Sequence, residues 1–219
     1  VEGAPLAEVT QPCEAVPGIR CAPATIDLSG AEIELVDLPE RERRLRRAFD
    51  EYLATADRRG EAPPDYVLVD CPPSLGLLTV NAFVAGREVL IPIQCEYYAL
   101  EGLSQLVRNI ELIRNHLNPG LAVSTILLTM HDGRTRLSQQ VAAEVRAHFP
   151  EATLDTHIPR SVRVSEAPSY GQTVLTYDPG CSGALAYLAA ARELAYRGAG
   201  MAVPADPATG ERDLSLAHP

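Results

Sequence analysis

The sequence contains no lysine: all 19 basic residues among its 219 are arginine. A phosphate loop that reaches the β- and γ-phosphates with a lysine ammonium therefore has no place in it. Tryptophan is absent too, and no apolar run approaches the roughly 18 to 20 residues of a membrane span. No charged-then-apolar export signal opens the chain, so the expected compartment is the cytoplasm and no membrane partner is expected. The five cysteines (Cys13, Cys21, Cys71, Cys95, Cys181) form no C-x-x-C pair, which leaves zinc and thioredoxin-like chemistry without support. The first residue is Val1 rather than Met, and the chain is expected to start inside a longer reading frame. A net charge of −10 argues against a broad electrostatic footprint for nucleic acid. Any such contact would rest on a few placed arginines.

The length suits one α/β domain or slightly more. Residues 1–17 read as an irregular leading segment, and Gly18 to Ala24 as a short edge-like strand. From Ala31 the pattern turns helical, with Leu45, Ala48, Phe49, Tyr52 and Leu53 at helical spacing. The arginines at 41, 43, 44, 46 and 47 could suggest nucleic acid. Glu40–Arg44 and Glu42–Arg46 are i,i+4 pairs, however, and favour a solvated face. Tyr66-Val67-Leu68-Val69, Val89 to Ile93 and Val123 to Met130 are continuous apolar runs of the kind that strands buried on both faces of a parallel sheet require. Helices are expected over Ser74 to Val84, over Gly102 to Leu117 and over Thr135 to Phe149, the last with Leu137, Val141, Val145 and Phe149 inward. Thr153 to Ile158 reads as a strand and Gly183 to Tyr196 as a closing helix. Such alternation implies a parallel sheet with helices on both faces. Residues 198–219 are aperiodic, show no amphipathic basic helix, and are expected to form a disordered tail.

In Val67-Leu68-Val69-Asp70-Cys71-Pro72-Pro73-Ser74 an acid ends an apolar run, which places a carboxylate where open α/β sheets bind ligands. Such an acid can hold Mg²⁺ through water; it can equally cap the next helix. Both readings stay open on this segment alone.

The stretch from Asp70 to Asn81 resembles the Walker B and switch segment of ParA/Soj proteins. The resemblance continues through Gln94 to Gly102, Leu128 to Thr135, and Ile158 to Gly171, with Ala24 to Leu35 matching upstream. It covers about residues 18–197, in family order and spacing. It implies a P-loop NTPase-like α/β fold, here without its N-terminal strands and phosphate loop. It further implies ATP and Mg²⁺ as cofactors, a homodimer, nonspecific DNA binding and a ParB-type partner in chromosome or plasmid partitioning. Carried over by position, Asp70 would be the Mg²⁺-associated acid, and Pro73 and Ser74 would open the γ-phosphate switch. Met130, Pro159 and Arg160 would flank the adenine. Glu96 and Tyr97 would lie near the dimer interface, and Arg134 and Arg163 would bind DNA. Each has a plainer alternative. Met130 could fill the core, Glu96 and the tyrosines could begin a helix over a core rim, and Arg134 could pair locally with Asp132.

There are departures as well. The family's Lys-Gly-Gly-x-Gly-Lys-Thr loop and its Asp-Pro-Gln segment have no match here, and Gln172 stands where many relatives have lysine. Hydrolysis by these residues alone is not expected, and an isolated fragment with unpaired strand edges is expected to be marginally stable. A nucleotide-independent binding module is the competing reading. A MinD-like division-site regulator is a third, disfavoured because the tail lacks a membrane helix.

Overall fold

The structure, a computed structural model, describes residues 3–72 and 74–201. Pro73 and the expected tail from residue 202 onward lie outside the described residues. The chain divides into two compact units, one of Val1–Arg87 with Asn109–Ala122 and one of Glu88–Arg108 with Val123–Pro219.

The first unit begins with a helical turn, α1 (Leu6–Val9), inside the segment expected to be irregular. A two-residue antiparallel pair follows, β1 (Gln11–Pro12) with β2 (Arg20–Cys21). Next come α2 (Leu28–Glu34), a 3-10 turn at Arg41–Arg43 and α3 (Arg44–Arg58). The expected i,i+4 pairs do not form. Glu40 has a left-handed backbone and Glu42 lies in the 3-10 turn, so α-helical spacing does not apply to them. Arg47 instead reaches Glu40, Arg41 pairs with Glu42, and Arg46 pairs with Asp50. The Arg47–Glu40 and Arg46–Asp50 pairs are exposed and of small energetic consequence, while Arg41–Glu42 is part-buried.

Helix α4 (Leu77–Ala85) is tied to this region by buried Asn81. Its amide donates to Arg41 O (2.7 Å) and Leu77 O (3.0 Å) and accepts from Leu45 N (3.1 Å). Gly76 allows Glu32 to approach the start of α4, because a Cβ there would collide with the Glu32 carboxylate. Glu32 Oε1 accepts from Leu78 N, and its negative charge suits a helix N-terminus.

The expected strand at Tyr66–Val69 is not formed. These residues belong to no strand, and all four are exposed, Leu68 to 84%. A continuous apolar run becomes a buried strand only when neighbours hydrogen-bond its edges and cover its faces. No strand pairs with it among the described residues.

The second unit holds a three-stranded sheet of order β3-β4-β5, flanked by helices: β3 (Glu88–Gln94), β4 (Ala122–His131) and β5 (Thr153–Pro159). Strands β4 and β5 run parallel. Between β3 and β4 runs α5 (Ala99–His116), with Leu103, Ile110 and Ile113 buried as the periodicity predicts. Central β4 buries Thr125 to Leu128 consecutively, as a doubly covered strand should. Strand β3 differs from expectation. Val89, Ile91 and Ile93 are buried while Leu90, Pro92 and Gln94 are exposed, so this terminal strand buries one face only.

Helix α6 (Arg136–His148) is capped by Thr135, whose Oγ1 accepts from Ser138 N. Its inward face is Ser138, Val141, Ala142 and Val145; Leu137 is turned outward, contrary to expectation. Ser138 is inward because its hydroxyl accepts from Asp132 N (3.0 Å). After β5 come α7 (Val162–Glu166), a 3-10 turn at Ala167–Tyr170, α8 (Val174–Tyr177) and α9 (Ser182–Gly198). On α9, Ala190 packs against Leu127, Leu154 and Ile158. Among the described residues, no helix is long and apolar enough to cross a membrane.

Candidate functional site

The carboxyl ends of β3, β4 and β5 gather four of the residues singled out in the sequence: Glu96, Met130, Pro159 and Arg160. Cys95 N donates to Thr129 O (3.0 Å), and Thr129 Oγ1 donates to Ile93 O (3.1 Å), which ties the end of β3 to the end of β4. Residue His131 pairs with Pro159, and Arg160 N donates to His131 O (3.0 Å), which ties β4 to β5. The guanidinium of Arg160 then crosses to Glu96, with Nη2 2.7 Å from Oε1. Both side chains are about half exposed, so the pair is a solvent-screened clasp rather than a buried anchor.

Met130 has a φ of 52°, left-handed and uncommon for a residue other than glycine. It lies where β4 spends three residues (Leu128 to His131) against two in β5 (His157 to Pro159), which is a bulge. The side chain is partly buried, as is Pro159. A thioether and a pyrrolidine ring at the carboxyl edge of a sheet offer apolar walls to a flat ligand, with backbone polar groups close by.

The rings of His131 and His157 lie 4.2 Å apart, tilted by 57°. Burial first, then His131 and Arg146, push the His157 imidazole below its ordinary value, which favours the neutral ring. Glu96 precedes α5 rather than starting it. Ala99 N donates to Glu96 O, and Tyr97 and Tyr98, each 74% exposed, meet edge to face at 5.0 Å. Both tyrosines are largely exposed, and Tyr98 lines a groove with the buried Ile91, Ile93 and Leu103.

Arg134 is paired with Asp132 by its backbone N–H (3.0 Å), Nε (2.9 Å) and Nη2 (2.9 Å). The Arg134 hydrogen bonds hold the Asp132 carboxyl down to about 2. Arg163 lies between two acids, its Nη1 3.1 Å from Glu166 Oε2 and its Nε 3.3 Å from Asp178 Oδ2. Both arginines thus hold carboxylate partners of this chain.

Asp70 and Ser74 belong to the first unit. Asp70 is exposed at the end of the unpaired 66–69 run. Ser74 is exposed, and its carbonyl accepts from Thr79 Oγ1 (2.8 Å) just before α4.

Sequence reasoning missed Glu193. It is wholly buried on α9 and accepts from Asp155 N and Thr156 N, both at 2.9 Å, and from Arg197 Nη2 at 2.7 Å. A signal was present: Ala186, Ala190, Glu193 and Arg197 stand at helical spacing, so the acid falls on the apolar stripe.

A family model described as "AAA domain" matches residues 2–123. The chain is 52% identical over 182 residues to the chromosome partitioning protein ParA of Caulobacter vibrioides, covering 83% of this chain and 66% of that protein. It is 50% identical over 183 residues to the sporulation initiation inhibitor protein Soj of Bacillus subtilis, covering 84% and 69%. Among solved structures, cobyrinic acid a,c-diamide synthase from Mycobacterium smegmatis, with bound ADP and magnesium, superposes with a TM-score of 0.67 at 32% identity, over 89% of this chain and 68% of that one. The chain therefore spans about two thirds of the length of such relatives. With identity near one half sustained over most of its length and a parallel α/β sheet of the P-loop type, the chain belongs to the ParA/Soj family of chromosome-partitioning ATPases.

Proposed function

We propose that this chain is part of an ATP-dependent DNA-partitioning protein. That protein binds ATP–Mg²⁺ as a homodimer, engages DNA without sequence preference, and answers to a ParB-type partner. The observation that carries this reading is the convergence of Met130, Pro159 and Arg160, with Glu96 clasping Arg160, at the carboxyl edge of the sheet. In this reading the base end of a nucleotide would lie there, against two apolar side chains and backbone polar groups. The phosphate end would need donors, and in these residues its positive charge would come from arginine rather than lysine, with backbone amides beside it.

In this reading Met130 and Pro159 wall the adenine, and Arg160 N–H closes the turn that presents them. Asp70 would hold Mg²⁺ through water, and Pro73 and Ser74 would report the γ-phosphate. When bound, the metal neutralises charge on the phosphates. Glu96 and Tyr97 would face the second subunit. Arg134 and Arg163 would meet DNA phosphates by exchanging their carboxylate partners.

The test is titration of the intact gene's product with N-methylanthraniloyl-ATP, with and without Mg²⁺. Magnesium-dependent binding that ATP displaces better than GTP is expected. Met130→Asp should weaken it by setting a charge against the base, and Asp70→Ala should abolish the magnesium dependence. Binding indifferent to magnesium, to the base and to both substitutions would leave the nucleotide-independent module as the better account.

A further inference from the structure

Strand β5 does not run evenly beside β4. From Ile126 to Leu128 strand β4 advances two residues, whereas the partners Thr153 and His157 are four apart. A bulge of this kind leaves backbone N–H groups without ladder partners, and buried N–H groups must find acceptors elsewhere. Here Asp155 N and Thr156 N both find the Glu193 carboxylate, one oxygen each. Arg197, one turn further along α9, neutralises Glu193. It also donates to Glu151 O (2.8 Å), just before the strand, and to Thr153 O (3.0 Å) at its start.

The position of the bulge matters. The two surplus residues correspond to roughly 6 to 7 Å of strand. Drawing them straight would keep the same residues facing the core, because side chains alternate with period two. It would nevertheless carry Pro159 and Arg160 by that distance along the strand, away from Met130 and Glu96. A two-residue register is therefore a soft coordinate of this site unless something locks it.

We propose that Glu193 is a positioning residue for the nucleotide site. By holding two surplus β5 N–H groups, it fixes the register that delivers Pro159 and Arg160 beside Met130, and so sets the affinity for adenine nucleotide. The inference rests on the nucleotide reading above. Burial alone would raise the Glu193 carboxyl, but the N–H bonds from Thr156 and Asp155 outweigh it and leave it lowered, so both oxygens are available as acceptors at neutral pH. Glutamine keeps the shape but offers one acceptor and turns an NH₂ toward the second N–H. It also leaves Arg197 without a counter-charge.

The experiment compares wild type, Glu193→Gln and Val145→Ala in the intact gene's product. Val145→Ala opens a cavity on α6 and serves as a destabilised control. Glu193→Gln is expected to raise the Kd for N-methylanthraniloyl-ATP at least about tenfold, the weight of one buried N–H left unpaired. The Arg160 amide resonance should move in the ¹H–¹⁵N spectrum even without nucleotide. Val145→Ala should lower Tm and leave both readouts in place. An unchanged Kd and an unmoved Arg160 amide in a folded Glu193→Gln protein would overturn the proposal, as would an equal rise in Kd in Val145→Ala. If Glu193→Gln does not fold, Glu193→Asp, which keeps both oxygens on a shorter arm, takes its place. A smaller rise and a smaller shift are then expected, and wild-type behaviour in both overturns the idea. Wild type that fails to bind the ATP analogue defeats the nucleotide reading alone, because the Arg160 amide still reports the register.

Discussion

Met130 holds a left-handed backbone at a bulge where glycine would rest without strain. For an L residue such a conformation costs on the order of 1 to 3 kcal/mol, and strain of this kind clusters at ligand sites. Met130→Gly is therefore expected to leave stability unchanged or raise it by up to about 1 kcal/mol, while weakening adenine-nucleotide binding through loss of the thioether wall. A urea midpoint and a nucleotide titration on the same variant separate the two effects. Lower stability with unaltered affinity would make Met130 plain core filling. The pair Asp132–Arg134 supports a second prediction. With its carboxyl held at about 2, Asp132 contributes fully above the ordinary carboxyl value of 3.8 and loses its hold only as pH falls toward about 2. At neutral pH the pair is closed, so a DNA phosphate drawn to Arg134 would have to displace the carboxylate. Asp132→Asn is expected to tighten retention of nonspecific duplex DNA and steepen its salt dependence by about one charge, with Arg134→Ala acting in the opposite direction. Filter retention between about 50 and 200 mM salt measures both. No change in either variant would reduce the pair to a turn-forming contact.

At the scale of elements, long periodic segments were legible and segments that depend on neighbours were not. The stripe of Leu103, Ile110 and Ile113 identified α5, and the run from Val123 to Met130 identified central β4, because in both the burial pattern is written in the spacing. Tyr66–Val69 has the same composition as a core strand yet forms none, because strand formation requires a partner's N–H and C=O groups. The candidate site residues other than Asp70 and Arg134 were singled out only through the family resemblance. Period alone gives no reason to bring Glu96 to Arg160 across 64 positions of sequence. Glu193 escaped notice because an acid on a helix ordinarily faces water, and nothing in the spacing shows that β5 turns two N–H groups toward it. On α6 the predicted face was out of phase at one residue, because Ser138 is drawn inward by Asp132 N while Leu137 turns out. That difference is measurable. Val145→Ala is expected to cost about 2 kcal/mol in chemical denaturation, and Leu137→Ala to stay within about 0.5 kcal/mol. Equal costs would contradict the observed face.

At the scale of the whole molecule, two features decide how these 219 residues behave by themselves. The first unit exposes Tyr66, Val67, Leu68 and Val69 in succession, next to the acid that the family reading assigns to magnesium. The second unit ends its sheet in β3, a strand that covers one face only. Exposed apolar runs and sheet edges are the surfaces through which chains associate. The net charge of −10 opposes that association only within a Debye length, about 8 Å at physiological salt. Self-association of the isolated chain should therefore increase with ionic strength, a dependence opposite to that of charge-mediated contacts. Sedimentation velocity at low and high salt reads this directly. Leu68→Lys, which sets a charge in the middle of the exposed run, is expected to shift the distribution toward monomer at both salts, whereas Leu112→Lys, also on an exposed residue but on α5, should not. Association that weakens with salt, or that Leu112→Lys relieves as well as Leu68→Lys, would show that the 66–69 run is not the adhesive surface and that its exposure is of no consequence in solution.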